Sequence, residues 1–147
     1  MKCLILISIL VLSACSSTSK ISTSSDIANI MNLIALTEEK APNGIKGTFQ
    51  LPIKAAGVQR GIVYLNTETD YRDRRNITIA LHPKLIDAFT KKYGSSPNSY
   101  FLNKTIEVTG EAKRMKIYFL SKGKITKKYY FQTHIKVSSL SQIKVLS

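Results

Sequence analysis

Residues 105–137 have the sequence TIEVTGEAKRMKIYFLSKGKITKKYYFQTHIKV, and this stretch decides the fold. Apolar and polar residues alternate along both of its halves, which is the pattern of half-buried β-strands. Between the halves, Ser121-Lys122-Gly123-Lys124 is a turn signal. The stretch therefore predicts two long antiparallel strands joined by a tight turn.

The alternation in the first of these strands changes phase at Gly110. The apolar residues are even-numbered before it and odd-numbered after it: Ile106, Val108, then Met115, Ile117 and Phe119. Such a change at a glycine predicts a β-bulge, which small barrels use to close. The return strand keeps the odd phase, so one face is predicted to carry Ile125, Tyr129, Phe131, Ile135 and Val137. The other face is predicted to carry Lys124, Lys128, Tyr130, Gln132, His134 and Lys136.

Three shorter strands are predicted upstream. Gly47–Lys54 and Gln59–Asn66 flank a hairpin signal at Ala55-Ala56-Gly57, and Asn76–Leu81 alternates on its own. A helix follows from Pro83, with Gly94 as its C-terminal cap, before a polar loop at residues 95–98. The order β-β-β-α-β-β predicts a mainly β domain with minor α over residues 45–147. It is the plan of the five-stranded Greek-key barrel of the oligonucleotide/oligosaccharide-binding (OB) fold.

Several short motifs over residues 47–146 resemble a family of small exported bacterial proteins with this barrel. They are Val63-Tyr64-Leu65-Asn66, Asp70-Tyr71-Arg72, Asn76-Ile77-Thr78-Ile79, Lys104-Thr105-Ile106-Glu107-Val108-Thr109-Gly110 and Ser141-Gln142-Ile143. Asn103 departs from the glycine that such sequences tend to have, but asparagine tolerates a left-handed backbone. The resemblance implies the fold more than an activity.

One helix is predicted ahead of the barrel, over residues 26–44. Ser25 or Asp26 offers an N-cap, and Ile27, Ile30, Met31 and Ile34 recur at helical spacing, with Leu33 and Leu36 beside them. Ala41-Pro42-Asn43-Gly44 should end the helix. We expect it to pack on the barrel, since its acidic charges do not suit a helix lying on a membrane.

The first residues have the pattern of an export signal. A short basic start and an apolar run of residues 3–12 precede Leu12-Ser13-Ala14-Cys15, which resembles the lipobox of bacterial lipoproteins at all four positions. The resemblance implies removal of residues 1–14 and attachment of diacylglycerol and a further acyl chain such as palmitate at Cys15. Such lipids anchor a protein without a spanning helix. Residues 15–25 are Ser/Thr-rich and predict a flexible tether.

The same resemblance predicts where the protein works. Ser16 after the lipidated cysteine is similar to lipoproteins sent to the outer membrane, where the domain would face the periplasm. Cys3 and Cys15 are the only cysteines, so a processed chain has no disulfide. An ordinary secretory signal that happens to end in cysteine is the alternative.

The charge of the chain is strongly positive, with 22 Lys and Arg residues against 9 Asp and Glu. It is also uneven, because nine basic residues and no acidic one follow Glu111. Such a concentration attracts polyanions or an anionic membrane surface.

The candidate ligand-binding residues lie on the last hairpin. Arg114, Lys116 and Tyr118 on one strand are expected beside Lys124, Lys128 and Tyr130 on the next. Cations pair with phosphates and tyrosine rings stack on bases or sugars. A solvated basic face without a partner is the alternative.

Few other residues suggest chemistry. The loop from Thr67 to Arg75 alternates acidic and basic side chains, which predicts local ion pairs, although a nuclease-like site on this fold is the functional alternative. His82 and His134 have no ligand-like neighbours in sequence, so no metal or cofactor is predicted.

The sequence as a whole therefore predicts a non-enzymatic, lipid-anchored binding module of the cell envelope. Its expected partners are membrane lipid through Cys15 and an anionic polymer or glycolipid through the hairpin, with nucleic acid suggested by fold resemblance alone. A structural or assembly lipoprotein that docks on another envelope protein is the alternative, and an exported nuclease-like enzyme is the third.

Overall fold

The computed structural model describes residues 21–23 and 26–147. Their strands are β1 (Ile21–Thr23), β2 (Ile45–Pro52), β3 (Ala55–Gln59), β4 (Ile62–Asn66), β5 (Ile77–Leu81), β6 (Thr105–Ser121), β7 (Lys124–Val137) and β8 (Ile143–Val145). The helices are α1 (Ile27–Lys40), α2 (Ile86–Tyr93) and α3 (Pro97–Tyr100), with 3-10 turns at residues 83–85 and 140–142. The predicted leader and Cys15 lie outside the described residues.

The sheet closes into a five-stranded barrel. Its neighbours run in the order β2-β6-β7-β5-β4-β3, and β2 and β3 are the two halves of one bent strand. The β5–β7 pair is parallel and the other pairs of the barrel are antiparallel. This is the connectivity of the OB barrel, with the helices α2 and α3 between the third and fourth barrel strands. The predicted fold class is confirmed.

The bend in the first strand lets its first half, β2, pair with β6 and its second half, β3, pair with β4. Pro52 forms the last pair with β6, opposite Thr105, and proline has no N–H with which to continue a ladder. Three residues later Ala55 begins the pairing with β4. The hairpin predicted at residues 55–57 is therefore wrong. The true turn is Arg60-Gly61, whose φ angles of 51° and 77° suit a two-residue hairpin turn.

The predicted bulge at Gly110 is also wrong. β6 pairs with β2 without interruption from Thr105 to Ala112, and Ala112 is buried in phase with Val108. The glycine allows a close approach instead, because a Cβ at Gly110 would lie 3.1 Å from Cγ2 of Ile135. The irregular register of β6 lies farther along, between Tyr118 and Leu120.

The helix α1 packs on the barrel as predicted and begins after Asp26. Its buried residues are Ile30, Leu33 and Thr37, and the Thr37 hydroxyl lies 3.1 Å from that of Thr133 on β7. No helix among residues 26–147 is long and apolar enough to cross a bilayer. Ahead of α1, the strand β1 pairs in parallel with β2, so the predicted flexible tether of residues 15–25 is wrong for residues 21–23.

The segment between β5 and β6 supplies an aromatic cluster to the core. Phe89 and Phe101 are fully buried and contact Tyr93 and Tyr100 edge-on or stacked. Gly94 ends α2 with φ 78°, as predicted. The predicted polar loop of residues 95–98 is shorter than expected, since Pro97 begins α3. Asn103 has φ 61°, which confirms the left-handed turn.

Residues 113–132 form a two-stranded ribbon that leaves the barrel. β6 loses β2 as a neighbour after Ala112, and β7 gains β5 only from Thr133 onward. Between these points each strand pairs with the other alone, and the ribbon reaches up to about 30 Å from the barrel. The predicted apolar face of β7 is therefore buried only beyond the ribbon, at Ile135 and Val137.

Candidate binding surfaces

A pocket lies on the outer face of the barrel, where β4, β5 and β7 meet the base of the ribbon. Its cavity volume is about 270 Å³. Ligands of OB barrels usually bind at this face. The wall carries three tyrosines, several uncharged polar groups and a few apolar residues. The lining residues are Gly57, Val58, Gln59, Tyr64, Asn66, Tyr71, Thr78, Ile117, Tyr130, Gln132 and His134.

A buried hydrogen-bond network forms the floor of this barrel-face pocket. Asn76 Nδ2 donates to Asn66 Oδ1 at 3.1 Å, to the Tyr71 carbonyl at 3.1 Å and to Thr78 Oγ1 at 2.9 Å. Thr78 Oγ1 in turn donates to Asn66 Oδ1 at 2.8 Å. Because satisfied buried networks hold their members in one geometry, the pocket wall is preorganised.

Gln132 extends the network to the histidine. Its Nε2 donates to the Tyr71 carbonyl, a group that can only accept. The Gln132 Oε1 atom therefore faces His134 Nε2, at 2.8 Å, and must accept the proton of that nitrogen. His134 is thus the Nε2–H tautomer, and its Nδ1 is an acceptor.

The wall of the pocket is uncharged near neutral pH. Burial, with a smaller contribution from Lys136, lowers the pKa of His134 to about 4. Burial also raises the pKa of Tyr130 above its usual value, which keeps the phenol protonated. Its oxygen accepts weakly from Gln132 Nε2, at 3.4 Å, so the phenol O–H can donate to a ligand. The pocket suits a neutral ring with hydroxyl or amide groups better than a polyanion.

The charged loop of residues 67–75 forms local ion pairs, as predicted. Arg72 pairs with Asp70 and Arg75 pairs with Asp73, each through two N–H groups. The hydrogen bonds from Arg75 lower the pKa of Asp73 to about 2, and those from Arg72 lower the pKa of Asp70. Among the described residues, no three His, Cys, Asp or Glu side chains lie together as metal ligands would. The carboxylates of Asp70 and Asp73 therefore bind arginine side chains and do not converge on a common metal position.

One face of the ribbon is a ladder of cations and aromatic rings, which we call the ribbon ladder. It comprises Arg114, Lys116, Tyr118, Tyr129 and Phe131. The Arg114 guanidinium lies 3.7 Å from the centre of the Phe131 ring, and Lys116 Nζ lies 4.5 Å from that of Tyr129. Cations in these positions are held by the ring quadrupole while their remaining donors stay available.

The structure brings together only half of the predicted binding residues. Arg114, Lys116 and Tyr118 share one face, but Tyr130 pairs with Ile117 and lies on the other, toward the barrel-face pocket. Of the other two predicted lysines, Lys124 pairs with Ser121 beside the turn and Lys128 lies in the irregular segment opposite Phe119. The expected grouping with all six residues on one face is wrong.

The sequence reasoning missed Tyr129 and Phe131, although a signal for them exists. The turn residues Lys122 and Gly123 have φ 48° and 75°, so Ser121 pairs with Lys124. A two-residue turn always places odd-numbered residues opposite even-numbered ones. Between the pairs Leu120–Ile125 and Tyr118–Tyr129, β7 has two more residues than β6. Because two is an even number, odd-numbered residues still lie opposite even-numbered ones, and Lys116 lies opposite Phe131.

The positive charge of the ribbon is almost uncompensated. Among the described residues, its one salt bridge joins Arg114 to Glu38 of α1, at 3.8 Å. Buried beside it, the Arg114 Nε atom has no hydrogen-bond partner. The six lysines of the ribbon have no carboxylate within salt-bridge distance in the described chain: Lys113, Lys116, Lys122, Lys124, Lys127 and Lys128.

The similarity of this chain to known proteins is limited to solved structures of low sequence identity. No family model matches the chain, and no curated protein matches it. Among solved structures, an aspartyl-tRNA synthetase from Entamoeba histolytica is similar at 13% identity and a TM-score of 0.46, over 97% of this chain and 24% of that one. A protein from Leishmania major Friedlin assigned as an aspartyl-tRNA synthetase is similar at 7% identity and a TM-score of 0.42, over 91% and 22%. This chain thus spans about a quarter of the length of each.

Proposed function

We propose that this protein is a non-enzymatic binding module of the cell envelope whose ribbon binds an anionic polymer. The lipobox-like residues Leu12-Ser13-Ala14-Cys15 support a lipid anchor on Cys15, and Ser16 supports the outer membrane, with the barrel in the periplasm. The barrel serves as a rigid base and the ribbon as the contact surface.

The ribbon ladder is the observation that carries the proposal. Lys116 and Arg114 lie against aromatic rings and retain N–H groups for an anionic oxygen. Tyr118 and Tyr129 are about half exposed, so each presents ring surface to a ligand. Cations for charge together with rings for stacking is the combination that polymers of charged, ring-containing units require.

Salt dependence tests this proposal directly. We expect a fluorescent single-stranded oligonucleotide or polyphosphate to bind, with an affinity that falls steeply as salt rises. If about four ribbon cations contact phosphates, the slope of log K against log salt is about −3 for a single strand. Negligible affinity for polyphosphate, oligonucleotide and sulfated glycan at low salt would refute the proposal.

Matched variants locate the binding surface. Lys116→Gln should weaken polyanion binding and reduce the salt slope by about 0.7, because one phosphate contact is lost. Phe131→Ala should weaken binding without changing the slope, since it removes a ring and no charge. Lys91→Gln, on α2, is the control for general charge and should leave both quantities unchanged. Equal effects of Lys116→Gln and Lys91→Gln would mean that the ribbon is not the site.

Docking on another envelope protein is the alternative reading of the same surface. A protein interface with an apolar centre is far less sensitive to salt than a polyphosphate contact. The test is a pulldown from envelope extract at high salt. Docking is favoured if the wild-type chain retains an envelope protein, Phe131→Ala loses it and Lys116→Gln keeps it.

The barrel-face pocket supports a second candidate function, which is binding of a neutral ring such as a sugar or a base. Its uncharged wall, which includes Tyr64, Tyr130 and His134, carries this candidate. Tyr64→Ala should abolish binding in calorimetry with a panel of monosaccharides and nucleosides, and Tyr130→Phe should weaken it by loss of one donor. If no monosaccharide or nucleoside of the panel binds, this candidate function is refuted.

The proposed absence of catalysis has its own assay. Incubation of the protein with labelled nucleic acid and Ca²⁺ or Mg²⁺ should leave the substrate intact. Cleavage that disappears with Asp70→Asn or Asp73→Asn would show a nuclease-like site in the charged loop and contradict the proposal.

A further inference from the structure

The tip of the ribbon exposes apolar side chains that no other described element covers. Ile125 is 73% exposed, Leu120 54% and Phe119 43%. Leu120 and Ile125 pair across the two strands, next to the pair Ser121–Lys124 that closes the turn. Six of the twelve large hydrophobic residues that are exposed in the described chain lie on this ribbon of twenty residues, so the apolar surface is concentrated there. Concentrated apolar surface marks a contact site.

The geometry of the ribbon argues that this contact stabilises it. Beyond Tyr118 and Tyr129 the two strands have no third strand and no helix beside them among residues 21–23 and 26–147. An isolated hairpin is marginally stable in water, and its apolar side chains gain from transfer into an apolar phase. A surface that receives the tip would therefore order the ribbon as well as bury it.

The charges around the tip select the kind of surface. Lys122 and Lys124 flank the turn residue Gly123, and Lys127 and Lys128 are two and three residues after Ile125. Lysine stems lie along apolar groups while their ammonium groups extend to anionic headgroups. Each lysine near an anionic bilayer contributes attraction, and tyrosines such as Tyr118 and Tyr129 favour the interface between headgroups and acyl chains.

A second copy of the chain fits the tip poorly. The opposing tip would bring four more lysines to the same place, without an acidic residue after Glu111 to pair with them. Like charges at that density oppose association. An anionic bilayer offers both the apolar phase and the countercharge.

We propose that the tip of the ribbon inserts into the surface of an anionic lipid bilayer, with Phe119, Leu120 and Ile125 among the acyl chains and the four tip lysines at the headgroups. This inference rests on the proposed function, the binding of anionic groups by the ribbon, and adds an anionic lipid surface as the ligand of its tip. The ribbon ladder behind the tip then lies in the headgroup region.

The absence of tryptophan from the chain makes insertion directly measurable. Leu120→Trp places one fluorophore at the tip, and Leu102→Trp places one at a similarly exposed site in the loop after α3. Both are made in the chain from residue 16 onward, which contains every described element and lacks the predicted anchor. Vesicles of phosphatidylcholine with and without phosphatidylglycerol are the probes. We expect a blue shift and protection from an aqueous quencher for Leu120→Trp on the anionic vesicles, and neither change for Leu102→Trp.

A third variant separates insertion from simple charge attraction. Leu120→Ser with Ile125→Ser keeps every lysine, so we expect polyphosphate binding to be unchanged and partition onto anionic vesicles to fall roughly tenfold or more. If the protein binds vesicles but the tryptophan of Leu120→Trp remains accessible to the aqueous quencher, insertion is refuted and the proposed function is not. Polyphosphate binding without vesicle binding would likewise refute insertion alone and would point to a soluble polymer. Failure to bind either probe would remove the proposed function itself.

Discussion

Replacement of Asn76 by alanine tests whether the network under the barrel-face pocket holds the fold as described. The residue is 2% exposed, its Nδ2 has two N–H groups with three acceptors within 3.1 Å, and its Oδ1 accepts from the Glu68 N–H at 3.1 Å. Each such bond contributes about 1 kcal/mol net, and the Glu68 N–H loses its partner in the variant. We therefore expect the free energy of unfolding to fall by about 3 kcal/mol.

Urea denaturation followed by circular dichroism measures this loss as a lower midpoint at unchanged slope. The matched control is Asn32→Ala on the exposed face of α1, which should change stability by about 0.5 kcal/mol or less. Gln132→Ala adds a second check, because Gln132 and Asn76 donate to the same Tyr71 carbonyl. That carbonyl loses both donors only in the double variant, which should therefore cost more than the two single losses together. A loss for Asn76→Ala no larger than that of the control would refute the reasoning.

Three further predictions concern pH, the ribbon turn and the anchor. The folded pKa of His134, about 4, lies below its usual 6.5, so the unfolded chain takes up the proton first and stability falls as pH drops from about 6.5 to 4. This contribution is at most about 3 kcal/mol, and His134→Gln should flatten the unfolding free energy over that window, as chemical denaturation at several pH values can show. Gly123→Ala should destabilise the protein by about 1 kcal/mol, because Gly123 has a φ of 75°. Gly57→Ala is the control and should not destabilise it, since an added Cβ meets no neighbour there and φ is not positive. Equal shifts of the melting temperature for the two variants would contradict the described turn. Labelled palmitate should enter the wild-type protein in bacteria and not Cys15→Ser; label in both, or in neither, would count against the anchor.

The barrel could be predicted from the sequence because its strands alternate with period two and its turns carry glycine. The same local rules located α1 through its apolar spacing and α2 through Gly94. They failed at residues 55–57, where small residues mark the second half of a bent strand rather than a turn. Whether a strand bends or turns depends on which edges it must join, and that is a property of the whole barrel.

The binding surfaces divide in the same way. The basic residues of the last hairpin were visible as a charge pattern, and Arg114, Lys116 and Tyr118 do lie on one face. Their partners Tyr129 and Phe131 follow from the register, which the turn geometry sets. The barrel-face pocket was not foreseen, because its wall combines the segment from β3 to β5 with Ile117 of β6 and with β7, which lie much later in the sequence.

By itself, the sequence determined the periods of the secondary structure, the lipobox-like residues before Cys15 and the excess of positive charge, since each depends on neighbouring residues alone. Only the tertiary structure decided which apolar residues are core and which are exposed. Ile125 and Ile135 have the same parity on one strand, yet one is 73% exposed and the other fully buried. The difference arises because β7 has β5 beside it at Ile135 and has only β6 at Ile125, and a side chain is buried only where neighbouring elements meet over it.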